Sequence, residues 1–174
     1  MAGDIKDKYV ASTSPTVTNL QSLASSQDWT AGWGSASISN LTNLNLDGLL
    51  GGTFTTHASN RQAGSINIYL IAALNDTPTW PASSSGTIGT EGAIAFTDTE
   101  ERDAACTFLA SITVDNTASA VMPFPMRAIA AQSGGALPTH FAIFLAQTCT
   151  TTTTAGLASS GNALYYTGKL KQYT

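Results

Sequence analysis

The sequence predicts an all-β domain, an antiparallel sandwich or barrel of about eight to ten short strands. Three observations point there. Apolar residues recur with a period of two, clusters of Gly, Pro, Ser and Asn punctuate the chain at short intervals, and no long segment carries the 3.6-residue period of a helix. The 174 residues suit one domain. A chain of this mass folds to an accessible surface of about 8,000 Å² and buries enough of itself to need no staples.

In chain order, residues 1–15 read as an extended N-terminal arm and residues 16–174 as a single β-sandwich domain. Met1 to Lys8 lacks the apolar stretch of a secretory signal, which implies a product made and assembled in the cytoplasm, and the chain then passes into Ala11-Ser12-Thr13-Ser14-Pro15. Such an arm spans roughly 45–50 Å when extended, and Ile5, Tyr9 and Val10 are its apolar candidates for docking on a neighbour. Weaker strands are expected over Val17 to Leu23 and Ala36 to Leu46, with a reversal at Gly32-Trp33-Gly34 between them. Trp29 and Trp33 are the further interface candidates.

Gly48 to Gly52 reads as a loop before a strand over Gly52 to His57. Ile66 to Leu74 is nearly all apolar and lies between Ala63-Gly64 and Asn75-Asp76-Thr77-Pro78, and its β-branched and aromatic content favours a strand. After a loop at Pro81 to Gly86 comes a weak strand at Gly92 to Phe96. Thr97 to Asp103 is suited to start a single helical turn, with Thr97 or Asp98 as its cap and acids near its positive end.

The clearest alternation is Cys106, Phe108, Ala110, Ile112 and Val114 against Thr107, Leu109, Ser111 and Thr113, which places the first set in a core. A strand over Val121 to Ala131 carries Pro123 and Pro125, so it belongs at an edge or corner. Phe141, Ile143 and Leu145 alternate with His140, Ala142, Phe144 and Ala146, leaving both faces apolar, as in a strand between two covered surfaces. Thr148 to Thr154, around Cys149, has the composition of an exposed loop, and Asn162 to Leu170 reads as the last strand.

Charge then narrows the function classes. Charged residues are 10% of the chain, against about 25% in ordinary domains, while Thr, Ala and Ser number 26, 26 and 18. Hydrophobic content of 43% with a net charge of −4 excludes a disordered chain. Seven basic residues against eleven acids offer little to displace phosphate counterions, so nucleic acid is not an expected partner. The longest apolar run falls far short of the roughly 20 residues of a membrane helix. Cys106 and Cys149 are too few for a disulfide framework and are read as reduced, buried small hydrophobes.

Chemistry finds no foothold. His57, His140, Cys106 and Cys149 have no metal-ligand spacing, and neither a Gly-x-Ser-x-Gly elbow nor a phosphate-cradling glycine motif is present, so no catalytic, metal or cofactor residue is assigned and no enzyme is expected. Asp98, Glu100, Glu101 and Asp103 are the only carboxylate cluster, and with Arg102 among them they read as a solvated turn rather than a glycosidase pair. Trp29, Trp33, Trp80, Tyr165, Tyr166 and Tyr173 would stack sugars if they shared an exposed face, the carbohydrate-binding alternative. A surface poor in Lys and Glu instead suits assembly, because few charges need be stripped of water at an interface. A homo-oligomer is expected.

The segments Gly64 to Pro81, Gly135 to Gln147 and Ser160 to Tyr173 resemble small virion proteins of tailed bacteriophages, most of all their jelly-roll capsid decoration, or cement, proteins. The resemblance implies a jelly-roll-like β-sandwich, commonly trimeric, that binds the major capsid protein on the outer head surface of the virion and stabilises the shell, with no catalytic residue to carry over. A head-fibre or tail-associated jelly roll that binds host glycans, and a free carbohydrate-binding module, are the alternatives.

Overall fold

The structure is a computed structural model that describes residues 5–150 and 155–173. Its strands are β1 (Ile5–Tyr9), β2 (Ala31–Gly34), β3 (Ile38–Ser39), β4 (Asp47–Thr55), β5 (Gly64–Ala72), β6 (Gly92–Ala95), β7 (Thr107–Val114), β8 (Val121–Ala128), β9 (His140–Gln147) and β10 (Ala163–Tyr173). One short helix, α1 (Thr99–Ala105), and 3₁₀ turns at Thr18–Leu20 and Ala130–Ser133 complete the described elements.

The strands form two antiparallel sheets, one ordered β1-β10-β4-β8 and the other β6-β2-β9-β5-β7, with β3 paired on β9. With β3 and β6 set aside, the first strand pairs with the last, β2 with β9, β4 with β8 and β5 with β7, alternately in the two sheets. That is the winding of a jelly roll, so the all-β, antiparallel sandwich with about ten strands holds.

Two apolar clusters explain the sandwich. Between the sheets lie Trp33, Leu50, Phe54, Ile66, Ile68, Leu70, Phe124, Phe141, Ile143, Leu145 and Leu164 among others. A second cluster lies on the outer face of the second sheet, where Tyr69, Ile71, Ala142, Phe144 and Ala146 are covered by Ile88, Ile94 and Phe96 and flanked by Trp29, Trp80, Ala105 and Cys106. The long excursion between β5 and β7 thus makes a third layer. Every residue of β9 is buried, as the double apolar alternation of His140 to Ala146 requires. Among the described residues the first sheet has no such cover, and Tyr165, Val121 and Met126 are exposed on it.

Several sequence expectations are corrected. Val17 to Leu23 holds a 3₁₀ turn instead of a strand, and Ala36 to Leu46 contributes only β3 before becoming a loop. Gly32-Trp33-Gly34, expected as a reversal, is the body of β2, and Gly48 to Gly52 lies within β4. A β-bulge between Ile68 and Tyr69 breaks the alternation in β7. Ala110 and Val114 reach the inter-sheet core, while Phe108 remains 49% exposed, set edge-on to Tyr69, and Cys106 packs with the outer cluster. Cys149 is free and fully buried in the inter-sheet core, as expected of a small hydrophobe, and it is the exposed loop expected around it that is corrected, since Thr148 and Thr150 are buried too; residues 151–154 of that tract lie outside the described residues.

Residues 5–9 are extended, as expected of the arm, and pair with β10 of the same chain, from Ile5 opposite Tyr173 to Tyr9 opposite Lys169. Because β4 begins opposite Lys169, the sheet narrows there to two strands, and residues 5–8 with 170–173 continue beyond the sandwich as a ribbon. Asp7 holds it, its carboxylate 2.9 Å from Lys169 Nζ and 2.5 Å from Lys171 Nζ. Hydrogen bonds from Lys171 and then Lys169 hold the Asp7 carboxyl below its ordinary range. A depressed folded pKa stabilises the ribbon above the unfolded carboxylate value of about 4, and that contribution is lost as the pH falls through the lower folded value. Amide protection over residues 5–9, measured by hydrogen exchange and corrected for intrinsic rates, is therefore expected to drop below about pH 4. In Asp7→Asn it should already be low at neutral pH and change little on acidification; an acid-dependent drop retained in the variant would refute the assignment.

Candidate functional site

The predicted interface residues separate into two groups. Ile5 lies on the ribbon and Tyr9 at its base, 68% and 55% exposed, and Val10 is half-buried where its N–H donates to the Gly168 carbonyl at 2.8 Å. Trp29, at φ 52°, is half-buried against the outer cluster. Trp33 is corrected: it is fully enclosed between the sheets and has no surface to offer a partner. Its indole Nε1 donates at 2.7 Å to Glu91 Oε1, which also accepts from the Asn19 backbone N–H at 2.7 Å, while Glu91 Oε2 accepts from Asn19 Nδ2 at 2.6 Å. One carboxylate thus satisfies the buried indole and ties the 3₁₀ turn to the sheet. Nothing in the spacing of Asn19, Trp33 and Glu91 signals that junction.

The aromatic set proposed for sugar stacking is scattered. Trp33 and Tyr166 are buried in the inter-sheet core, Trp29 and Trp80 pack on the outer cluster, and Tyr165 is 41% exposed on the first sheet. They share no face.

The carboxylate cluster is engaged in local structure. Asp98 is the N-cap of α1, accepting from the Glu101 N–H at 2.8 Å, and Glu101 reaches back to the Thr97 N–H. Arg102 is buried, donates from Nε and Nη2 to Asp103 at 2.9 and 2.7 Å and from Nη1 to the Asp28 carbonyl at 2.7 Å, and lies 5.4 Å from the Tyr69 ring centroid. These contacts fasten α1 onto the sheet. His57 Nδ1 accepts from the backbone N–H groups of Ser59 and Asn60 in a turn, and His140 lies buried on β9. Burial pushes the Cys106 thiol up to about 12 and the Cys149 thiol up to about 11, so neither is a thiolate at neutral pH. Among the described residues no three His, Cys, Asp or Glu side chains gather as metal ligands, and no helix is long and apolar enough to cross a membrane.

What the structure does bring together is exposed apolar surface at one end of the sandwich. In the loop between β3 and β4, Leu41, Leu44 and Leu46 are 44%, 70% and 53% exposed. They line an open groove of about 500 Å³ with Ala136 and Leu137 of the loop between β8 and β9. The loop is held stiffly: Asn40 Nδ2 donates to the Asn45 carbonyl at 2.9 Å, Asn40 Oδ1 accepts from the Asn45 N–H at 2.8 Å, and the Leu44 N–H donates to the Asn40 carbonyl at 2.9 Å. Leu44 sits at φ 47°, a left-handed conformation that costs a branched residue about 1–2 kcal/mol. The ribbon rises from the same end, where the Leu46 N–H donates to the Lys169 carbonyl at 2.8 Å. Asn40, Asn43 and Asn45 are the sequence signal for this loop, obscured by leucines spaced as in a strand.

No protein-family model matches the chain, and no curated protein matches it. Among solved structures it is similar at 12% identity and a TM-score of 0.21 to a chain of "Structure of infectious bursal disease virus Gt strain". The alignment covers 98% of this chain, which spans 45% of the length of that one.

Proposed function

We propose that the chain is a virion structural protein, a capsid decoration or cement protein that binds the major capsid protein on the outer surface of a head and stabilises the shell as a homo-oligomer. The observation that carries this reading is the gathering of Leu41, Leu44, Leu46, Ile5 and Tyr9 at one end of a sandwich whose clustered carboxylates at 98–103 are engaged in holding its own elements. A solvent-exposed apolar end on a domain this poor in charge suits a protein whose task is to adhere. The jelly roll itself is compatible with glycan binding as well as with shells, so fold alone does not decide between them. The scattered aromatics favour adhesion to protein over stacking on sugar.

A clamp repeated over a shell needs only modest affinity at each site, since many contacts act together. Purified protein added to heads of the phage that encodes it, freed of bound copies, is expected to co-sediment to saturation and to raise the temperature at which heads rupture. Removing residues 1–14 is expected to lower occupancy. Failure to bind heads, together with binding on a glycan array that Trp80→Ala abolishes, would replace this reading with the carbohydrate-binding one.

A further inference from the structure

The ribbon concentrates the positive charge of the molecule. Lys6, Lys8, Lys169 and Lys171 are all the lysines in the sequence. Asp7 occupies Lys169 and Lys171, while Lys6 and Lys8 have no ion pair among the described residues. Elsewhere the chain is acidic: of its eleven acids, nine lie outside residues 1–9 and 169–173, against only Arg61, Arg102 and Arg127. Arg102 is already taken by Asp103, and Arg61 donates to the Asn116 and Ala58 carbonyls. The molecule is therefore polarised, with a basic two-stranded projection on an acidic body.

Of that acidity, Asp47 lies opposite Lys169 at the ribbon's base, and the ribbon extends away from the acid-rich helix. It continues β1 and β10 of the first sheet outward, whereas the acid-rich helix α1 is fastened across the outer face of the second sheet. A paired ribbon of two strands without a third is marginal in water, and docking would give it the cover that the sandwich does not.

We propose that the ribbon, through the face that carries Lys6 and Lys8, docks on the acidic body of a second copy of the chain, leaving the alternate face with Ile5 and Tyr9, and the leucine groove, to the shell. The two surfaces differ, so the contact is heterologous: it closes into a ring where the rotation between copies permits and otherwise runs on as a filament. The contact deepens the homo-oligomer of the decoration reading and needs no shell to form, so its failure leaves head binding to be decided by co-sedimentation.

The test is sedimentation velocity of the purified full chain across a salt series. The Debye length shrinks from about 10 Å at 0.1 M to about 3 Å at 1 M, so the oligomer seen at low salt is expected to dissociate at least about tenfold more readily at the high end. The double variant Lys6→Glu/Lys8→Glu, with unchanged thermal melting, is expected to stay monomeric throughout. Because it retains the acidic surface, it should still accept the ribbon of an unmodified chain, giving mixed dimers. A wild-type monomer at low salt, a mass independent of salt, or a double variant that associates as tightly as wild type would each overturn the proposal. Should the variant melt differently, the wild-type salt series decides alone.

Discussion

Trp33→Ala is expected to lower the free energy of unfolding by about 3–5 kcal/mol, the range for removing a large buried aromatic from a core. Trp33 is fully enclosed between the sheets and packs in the inter-sheet cluster. The substitution removes that packing and also the 2.7 Å bond from the indole to Glu91, leaving the carboxylate with only Asn19 in a half-buried site. Domains have total stabilities of about 5–15 kcal/mol, so a loss of this size consumes much of the margin. For a chain of this length each kcal/mol moves the melting temperature by about 2–4 °C, so calorimetry should show a drop of roughly 6–20 °C. A loss below about 1 kcal/mol, as for a surface residue, would mean that Trp33 is not where the structure puts it.

Gly32→Val is the second large effect, and its cause is backbone approach. A Cβ on Gly32 would land on the carbonyl oxygen of Leu145 and against the ring of Phe144. Neither neighbour has room to yield, since Leu145 and Phe144 are fully buried in β9, where β2 pairs. Valine there must push β2 off β9, opening both clusters at once, and a loss of about 3 kcal/mol or more is expected in denaturant unfolding. Ala31→Val, one residue earlier at an exposed position of the same strand, should stay within about 0.5 kcal/mol. Equal effects from the two substitutions would contradict the pairing of β2 with β9.

These two residues also mark where sequence reasoning failed. A Gly-Trp-Gly triplet has the composition of a turn, and glycine's left-handed freedom was the reading given to it. In the structure the glycines serve close packing, a requirement visible only once β9 is laid beside β2. The same blindness to neighbours hid the Gly48 to Gly52 stretch of β4, read as a loop. By contrast β5, β9 and most of β7 were legible, because a strand covered on one or both faces writes its burial directly into period-two or continuous apolar runs. The bulge opposite Ile68 and Tyr69, which sets Phe108 and Cys106 apart from the inter-sheet face, depends on partner register and leaves no trace in β7 alone. At the candidate site, Ile5 and Tyr9 of the arm are exposed, while Trp33 is enclosed, because a lone tryptophan in a sequence does not say whether it faces a partner or a core. Leu41, Leu44 and Leu46 were absorbed into an imagined strand, although three asparagines among them mark a loop.

The pairing of β1 with β10 has a consequence for how the chain is made. Ribosomes add roughly 5–20 residues per second, so about 8–30 s separate the emergence of Ile5–Tyr9 from that of their partners at the far end of the sequence. Throughout that interval β1 is a naked edge among crowded polysomes, open to the wrong neighbour. Lys6, Asp7 and Lys8, alternating in sign along it, are the kind of charges that disfavour pairing with another strand before translation delivers the one that closes the fold.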